Sequence, residues 1–142
     1  NSFKNRIRTV KHDLLQNPFE DAKGFDAVCC DPPAMSHSKK DVNASIRAHT
    51  KTFKNAVTLT NAGGITSLAS CSYHLPWDEF LHCVRSSSIH RPGTTIIHQG
   101  HQSADHPVLS ALPESSYLKA CILFSPFALG RSTLYSLRVN FI

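Results

Sequence analysis

The sequence predicts an α/β domain with a mostly parallel sheet, because segments typical of strands alternate with segments typical of helices. Residues 25–30 form a continuous apolar run, the pattern of a buried parallel strand. Residues 41–62 contain neither Pro nor Gly and repeat apolar side chains at helical spacing. The predicted strands at residues 94–98 and 117–124 are joined by a loop rather than a helix, so we expect them to pair antiparallel.

The first half of the chain contains two predicted strands and one predicted helix. A β-rich segment at residues 6–10 predicts the first strand, and Asn17-Pro18 begins a loop after it. The strand at residues 25–30 stops at Asp31-Pro32-Pro33, because proline lacks the N–H group that a sheet requires. We expect Gly63-Gly64 to end the helix of residues 41–62, since glycine often follows the last turn of a helix.

The second half continues the alternation. Residues 65–70 predict a strand that ends at Cys71, and Pro76 begins the next helix, because proline suits a first helical turn. The remaining predicted strands are residues 94–98, 117–124 and, in the tail, 134–141.

Length and composition fit one globular domain. The chain has 142 residues, of which 41% are hydrophobic and 18% are charged, so a disordered tail or a membrane protein is not expected. No apolar run approaches the roughly 20 residues of a membrane-spanning helix. Fifteen Lys and Arg against ten Asp and Glu give a net charge of +5, which mildly favours an anionic partner such as nucleic acid.

The cysteines and histidines do not predict a metal site or a disulfide framework. The five cysteines are odd in number and show no Cys-x-x-Cys spacing, which fits a reducing compartment such as the cytoplasm. His98, His101 and His106 cluster in sequence, but their stretch reads as loop rather than as a helix with ligands four residues apart. We therefore expect no bound metal.

Two residues that can carry chemistry follow consecutive predicted strands. Asp31 and Cys71 both stand at carboxyl ends, where open α/β sheets bind their ligands. The two prolines after Asp31 stiffen the turn and leave carbonyl groups as acceptors for a flat base. Cys71 suits two roles, a thiolate nucleophile or a small buried apolar residue, and the residues alone leave both open.

An ordered set of motifs resembles the ribosomal RNA large subunit methyltransferase I-like family. These are class I S-adenosylmethionine-dependent enzymes, cytosine-C5 or related methyltransferases of large-subunit rRNA, and the resemblance is to the C-terminal portion of their catalytic domain. It spans about residues 5–124, while residues 125–142 form a tail of unknown role. The matching motifs are Asp13, Asp31-Pro32-Pro33-Ala34-Met35-Ser36-His37-Ser38-Lys39-Lys40, Gly63-Gly64, Ser70-Cys71-Ser72-Tyr73-His74-Leu75, Glu79-Phe80, Asp105-His106-Pro107 and Tyr117-Leu118-Lys119.

The resemblance implies specific roles at the strand ends. Cys71 matches the nucleophile that adds to C6 of cytosine, so that C5 can attack the methyl sulfonium. Asp31 matches the acid that stabilises this adduct at N3, which requires a water-poor pocket, and it also lies at the cofactor. Asp13 matches the acceptor of the cofactor's adenine amino group, and Leu14 packs beside that ring.

Contacts to RNA are implied around the same cleft. Pro32 and Pro33 would face the target base, with the Pro32 carbonyl accepting from the exocyclic amine. Lys39 and Lys40 would meet phosphates. The resemblance also suggests that His74 and His106 line the cleft. Met35 departs from the pattern, because family members often carry an aromatic residue at this position. Residues 47, 51 and 54 form a basic helix face that either meets phosphates or is simply solvated.

The resemblance further implies a partial Rossmann-like sheet. The family's strands run in spatial order 3-2-1-4-5-7-6, and this chain contains strands 3 to 7 and lacks strands 1 and 2. Those strands carry the glycine-rich loop and the ribose-binding acid, so an upstream half of the domain is needed for the cofactor site and the chain alone should bind S-adenosylmethionine weakly. Strand 4 then becomes a sheet edge.

Two other functions remain open at this stage. The chain would be a non-catalytic RNA-binding or assembly remnant if it has lost the reaction. Alternatively, it would methylate an exocyclic amine through Asp31-Pro32-Pro33 without using Cys71. Oligomeric state, target nucleotide and the acceptor of the C5 proton are not predicted by the sequence.

Overall fold

The structure, a computed structural model, describes residues 6–16, 19, 24–35 and 39–127. Most of the tail, including the strand predicted at residues 134–141, lies outside this range, as does the Asn17-Pro18 loop signal. The described elements are, in chain order, strand β1 (Phe25–Cys30), helix α1 (Val42–Leu59), strand β2 (Thr60–Ser70), helix α2 (Trp77–Ser88), strand β3 (Thr95–Gly100) and strand β4 (Lys119–Phe124), with 3-10 turns at Lys39–Asp41 and Pro113–Ser115.

The described strands form one sheet in the order β1-β2-β4-β3. Strands β1 and β2 are parallel, whereas β4 runs antiparallel to both β2 and β3. Three of the described strands therefore share one direction, and the last two described strands form the expected antiparallel pair. This order confirms the predicted 4-5-7-6 half of a Rossmann-like sheet.

Strand β1 forms at the predicted residues, but it is not buried as its apolar sequence suggested. Only Cys30 is buried, and Phe25 is 44% exposed. The reason is its position, because β1 is an edge of the described sheet and only β2 pairs with it. The prediction that this strand becomes an edge is confirmed.

The first strand predicted from the sequence does not form. Residues 7–13 have no regular secondary structure, and a turn covers residues 14–16. A strand is stable only when its backbone groups pair with a neighbour, and no described strand lies on that side of β1. The predicted strand at residues 6–10 is therefore wrong for the described chain.

Helix α1 ends three residues earlier than predicted, and Gly63-Gly64 lies inside β2. Thr60 ends the helix, since its hydroxyl donates to the Ala56 carbonyl at 3.0 Å and its backbone is extended. Strand β2 bulges after Thr60, where Gly63 adopts a φ of 81°. A side chain at Gly64 would place Cβ 2.8 Å from the Asp26 carbonyl oxygen. The glycines thus serve a bulge rather than a helix end.

Both helices pack against one face of the sheet. Alternate residues of β2 and β4 are buried, while those between them are more exposed, which is the pattern of a sheet covered on one face. The Phe53 ring of α1 meets the Phe80 ring of α2 edge-on at 5.8 Å. This packing fixes the helices over the sheet and leaves its strand ends open. No described helix has the length and apolar character needed to cross a membrane.

Candidate functional site

Two cavities meet at the carboxyl end of β1. Both are lined by Asp31, Pro32 and Pro33, the turn that ends this strand. The first cavity has a volume of about 600 Å³ and is also lined by His12, Asp13, Leu14, Leu15, Val28, Cys29, Cys30, Met35, Thr52, Ala56 and Leu59. The second has a volume of about 620 Å³ and is also lined by Cys71, Ser103, Asp105, His106, Tyr117 and Leu118.

Helix α1 positions the Asp13 segment in the first cavity. The Asn55 side chain donates to the Leu14 carbonyl at 3.0 Å, and Lys51 donates to the Leu15 carbonyl. Oδ1 of Asp13 accepts the Leu15 N–H at 2.9 Å, which orients the carboxylate. Lys51, expected on a basic or solvated helix face, instead anchors this segment.

The walls of the first cavity are mainly apolar. Val28, Ala56 and Leu59 supply aliphatic surface opposite Leu14. Burial raises the pKa of the Cys30 thiol to about 11, so this wall carries a neutral thiol at physiological pH. A mainly apolar slot bordered by the carboxylates of Asp13 and Asp31 suits a flat heterocycle that carries an amino group.

Cys71 lies in the second cavity, directly after β2. Its Sγ atom is 3.9 Å from the Pro32 carbonyl oxygen, so the two predicted substrate-facing groups are neighbours. Ser72 ties the turn to the strand end, because its hydroxyl accepts the Met35 N–H at 3.0 Å. The side chain of Cys71 is half-buried, while Asp31 is exposed. The described residues alone therefore do not give Asp31 a water-poor setting.

A series of buried hydrogen bonds links the Cys71 segment to helix α1. His49 of α1 is completely buried. Its Nδ1 atom lies 2.9 Å from the Ser45 carbonyl oxygen, and its Nε2 atom lies 3.0 Å from Ser70 Oγ. Ser70 Oγ in turn accepts the Ser72 N–H at 3.2 Å. Burial lowers the pKa of His49, so the imidazole is neutral, donates from Nδ1 and accepts at Nε2.

Lys119, the first residue of β4, is buried beside the same segment. Its Nζ donates to the Ser72 carbonyl at 3.1 Å and to the Tyr117 carbonyl at 2.7 Å. Only 6% of the residue is exposed, and burial lowers the pKa of its ammonium group, whereas the neighbouring Cys71 raises it. Among the described residues, no carboxylate forms an ion pair with Lys119.

The connection between β3 and β4 supplies the far wall of the second cavity. Nδ1 of His106 lies 3.3 Å from Asp105 Oδ2, and Ser103 donates to the other oxygen of Asp105. The hydrogen bond from Ser103 lowers the pKa of Asp105. These side chains bring an acceptor and an imidazole into the same cavity as Cys71.

Lys40 and His74 are not among the described residues that line these two cavities. Lys40 is exposed near the start of α1. Lys39 opens the adjoining 3-10 turn. The half-buried His74 ring packs edge-on against Tyr73 at 5.2 Å. Trp77 packs against the hydrophobic core. Within the described ranges, no three His, Cys, Asp or Glu side chains converge as metal ligands would.

The fold defines a class of protein. The chain resembles a candidate methyltransferase solved in complex with SAH, with a TM-score of 0.58 over 72% of this chain and 26% of that one, at 16% identity. It also resembles an S-adenosylmethionine-dependent methyltransferase candidate from Streptococcus mutans (TM-score 0.57, the same coverage, 15% identity). At these identities the likeness is one of fold, a partial Rossmann-like α/β sheet similar to that of the two solved proteins.

Sequence comparison gives the particular relationship. The chain is 32% identical over 110 residues, 77% of its length, to ribosomal RNA large subunit methyltransferase I of Shewanella denitrificans. It is 32% identical over 114 residues, 80% of its length, to the protein of that name from an Enterobacter species. These relatives confirm the resemblance to the ribosomal RNA large subunit methyltransferase I-like family. A scan against protein-family profiles finds no match. The chain spans 28% and 29% of the length of these two relatives.

Several supporting residues were not predicted from the sequence. Lys119 was noted only as part of the Tyr117-Leu118-Lys119 motif. A lysine at the start of an apolar strand could have indicated a buried cation. His49 gave no signal, because a histidine on a helix face is compatible with many roles. The link between Ser72 and Met35 joins residues 37 positions apart and follows from the fold alone.

Proposed function

We propose that this chain is part of the catalytic domain of an S-adenosylmethionine-dependent methyltransferase that modifies C5 of a cytosine in large-subunit rRNA, with Cys71 as nucleophile. One observation carries the proposal. The Cys71 thiol, the Pro32 carbonyl and the Asp31 carboxyl share one cavity of about 620 Å³ at the strand ends, with Sγ 3.9 Å from the Pro32 oxygen.

This arrangement suits the chemistry of cytosine. C5 is a poor nucleophile until a thiolate adds to C6, because the addition makes C6 tetrahedral and leaves a C4=C5 double bond conjugated to the nitrogens on C4, which is an enamine that is nucleophilic at C5. Cys71 would form the S–C6 bond while Asp31 hydrogen-bonds or protonates N3, and the Pro32 carbonyl would accept from the exocyclic amine. After methyl transfer to C5, loss of the C5 proton would expel the thiolate and restore the aromatic ring.

The first cavity fits the cofactor's adenine. Asp13, held by its bond to the Leu15 N–H, offers a carboxylate to the amino group, and Leu14 lies beside the ring position. Asp31 borders both cavities, which would bring the cofactor and the base to one turn. When bound, S-adenosylmethionine would supply the methyl group as an electrophilic sulfonium.

The cofactor site would be completed by an upstream half of the same domain. The chain spans 28% of the Shewanella relative, and the open edge of β1 is where the family's strand 1 would pair. Isothermal calorimetry tests this part, comparing the chain with a chimera that places the upstream segment of the Shewanella relative before it. We expect micromolar binding of S-adenosylmethionine by the chimera only. Micromolar binding by the chain alone would contradict this part.

The substrate assignment rests on the relatives and on charge. The names of these relatives specify large-subunit rRNA. The net charge of +5 and the exposed Lys40 beside the turn favour a polyanion. We place Lys39 and Lys40 on RNA phosphates, with Pro33 at the target base and with His74 and His106 in the RNA cleft. An enzyme with this substrate would work in the cytoplasm.

A covalent trap tests the role of Cys71. The chimera is incubated with S-adenosylmethionine and rRNA that contains 5-fluorocytidine. A C5 fluorine cannot leave as a proton does, so the protein–RNA adduct should persist on a denaturing gel. The intact Shewanella relative serves as the positive control.

Two substitutions identify the nucleophile. Cys71→Ala should abolish both the adduct and methyl transfer, whereas Cys83→Ala, which removes a buried thiol of α2, should retain both. Methyl transfer by the Cys71→Ala chimera would favour an exocyclic-amine methyltransferase instead. RNA binding without any cofactor binding in the chimera would favour a non-catalytic remnant.

A further inference from the structure

Lys119 is an unusual residue for a buried strand position. Its ammonium group is nearly inaccessible, and the acceptors described for it are two backbone carbonyls, those of Ser72 and Tyr117. A buried cation is costly unless an anion or several hydrogen bonds compensate for the loss of water. No carboxylate among the described residues provides that anion.

The ammonium group lies against the strand end that carries Cys71. Lys119 pairs with Ser70 across the antiparallel β2–β4 ladder, and its Nζ donates to Ser72 at 3.1 Å. It therefore holds the residues on either side of Cys71, and its electrostatic interaction with Cys71 is the one that favours its charged form. The anion that fits this cation is a thiolate on Cys71.

The other charged groups of the second cavity increase the need for such a cation. Asp31, from the turn after β1, and Asp105, from the β3–β4 connection, line the same cavity as Cys71. A negatively charged carboxylate in the same cavity disfavours a thiolate. His106 lies on the Asp105 side of this cavity, with its Nδ1 atom 3.3 Å from Asp105 Oδ2.

Helix α1, which reaches the Cys71 segment through His49, does not place a second positive charge there. His49 of α1 reaches this segment through Ser70, and burial together with Lys119 lowers the pKa of its imidazole, so the ring is uncharged. Lys119 is thus the one buried cation among the described residues around Cys71.

The geometry points to Lys119 as the positioning residue that stabilises the Cys71 thiolate and holds it toward the second cavity. Ionisation transfers the thiol proton to water, which reaches the half-buried Cys71 through the open cavity, and the fixed ammonium group compensates the charge left on sulfur. This inference rests on the proposed function only in taking Cys71 as the nucleophile. It is testable without cofactor or RNA.

Alkylation of the full chain by iodoacetamide provides the test. The thiolate sulfur forms a bond to the CH₂ carbon while the carbon–iodine bond breaks and iodide leaves, so the rate reports the thiolate fraction. Rates at each cysteine are measured by peptide mass spectrometry from pH 6 to pH 10. Cys29 is exposed and lies away from Lys119, which makes it an internal reference.

We expect Cys71 to reach half its maximal alkylation rate at a lower pH than Cys29. Lys119→Met, which keeps the length and removes the charge, should raise the Cys71 midpoint by about one pH unit, or lower its rate about tenfold at pH 7. Lys119→Arg keeps the positive charge, so the Cys71 midpoint should stay close to its value in the native chain. The pH profile of Cys29 should not change in either variant. A thermal melt by circular dichroism confirms that both variants are folded.

Two results would overturn the inference. One is an unchanged Cys71 profile in folded Lys119→Met. The other is a Cys71 midpoint at or above that of Cys29 in the native chain, a comparison that stands even if Lys119→Met fails to fold. Neither result depends on methyl transfer, whereas the fluorocytidine trap fails independently if the proposed function is wrong.

Discussion

Ser70 Oγ lies 3.0 Å from Nε2 of His49, and both side chains are completely buried. Since Nδ1 of the same ring is bonded to the Ser45 carbonyl, both ring nitrogens are used when the imidazole is neutral. The residue before Cys71 is thereby fixed to helix α1. The position of the candidate nucleophile depends on a histidine that itself lies outside the cavities.

This neutral histidine predicts an acid-sensitive fold. Burial lowers the pKa of His49 from 6.5, so the unfolded chain binds a proton at a pH where the folded chain does not. The stabilisation is present above pH 6.5 and is lost as pH falls toward the lower folded value. We expect the free energy of unfolding to fall below pH 6.5 by up to about 1.4 kcal/mol per pH unit for this one proton.

Urea denaturation at several pH values measures this effect. His49→Gln should flatten the dependence, while His90→Gln, at an exposed turn position, should leave it unchanged. Equal slopes for the native chain and His49→Gln would contradict the neutral, buried assignment of His49.

The link between Ser72 and Met35 predicts a local effect at the Asp31–Pro33 turn. Ser72→Ala removes the acceptor of the Met35 N–H and should lower the free energy of unfolding by about 1–3 kcal/mol, because a part-buried donor is left unpaired. Hydrogen exchange at the Met35 amide should accelerate more than elsewhere. Ser116→Ala, at an exposed loop position, is the control. Unchanged exchange at Met35 would show that Ser72 does not hold the turn.

Thiol burial predicts which cysteines react in the native chain. Burial raises the pKa of Cys30 and Cys121 to about 11 and also raises the pKa of Cys83. Cys29 is exposed and Cys71 is half-buried, so both should react with Ellman's reagent at pH 8. The other three thiols should react only after denaturant is added. Rapid reaction of Cys30 in the folded chain would contradict the described burial.

We expect the Arg91 side chain to stabilise the junction between α1 and β2. Its Nη1 atom donates to the Val57 carbonyl at 2.6 Å and to the Thr60 carbonyl, at the negative end of the helix. Arg91→Met should lower the free energy of unfolding by about 1.5–3 kcal/mol, the range for hydrogen bonds from a charged donor. Arg91→Lys should recover part of this loss. Denaturant unfolding of both variants measures these changes. An equal free energy of unfolding for Arg91→Met and the native chain would contradict a stabilising role of Arg91.

Much of the fold was predictable from the sequence, because periodicity reports local structure directly. The apolar run at Phe25–Cys30 and the helical face of α1 predicted the correct elements. The segment at residues 6–10 was predicted wrongly, since β-propensity does not create a strand without a pairing partner. The Gly63-Gly64 signal was misread because glycine ends helices and forms bulges alike.

Part of the candidate site was also predictable from the sequence, and part was not. The positions of Asp31 and Cys71 followed from the rule that ligands bind at strand carboxyl ends, and the structure brings both to one cavity. The contacts of Lys119 and His49 join distant parts of the chain, so no local pattern could predict them. Tertiary burial, rather than residue type, gives these two side chains their roles.

The nucleoside product tests the central claim most directly. The chimera is incubated with methyl-labelled S-adenosylmethionine and unmodified large-subunit rRNA, and the digested RNA is analysed by liquid chromatography and mass spectrometry. We predict labelled 5-methylcytidine, and none when Cys71 is replaced by Ala. Labelled N4-methylcytidine or a methylated purine, formed equally well by Cys71→Ala, would contradict the proposed cytosine-C5 mechanism.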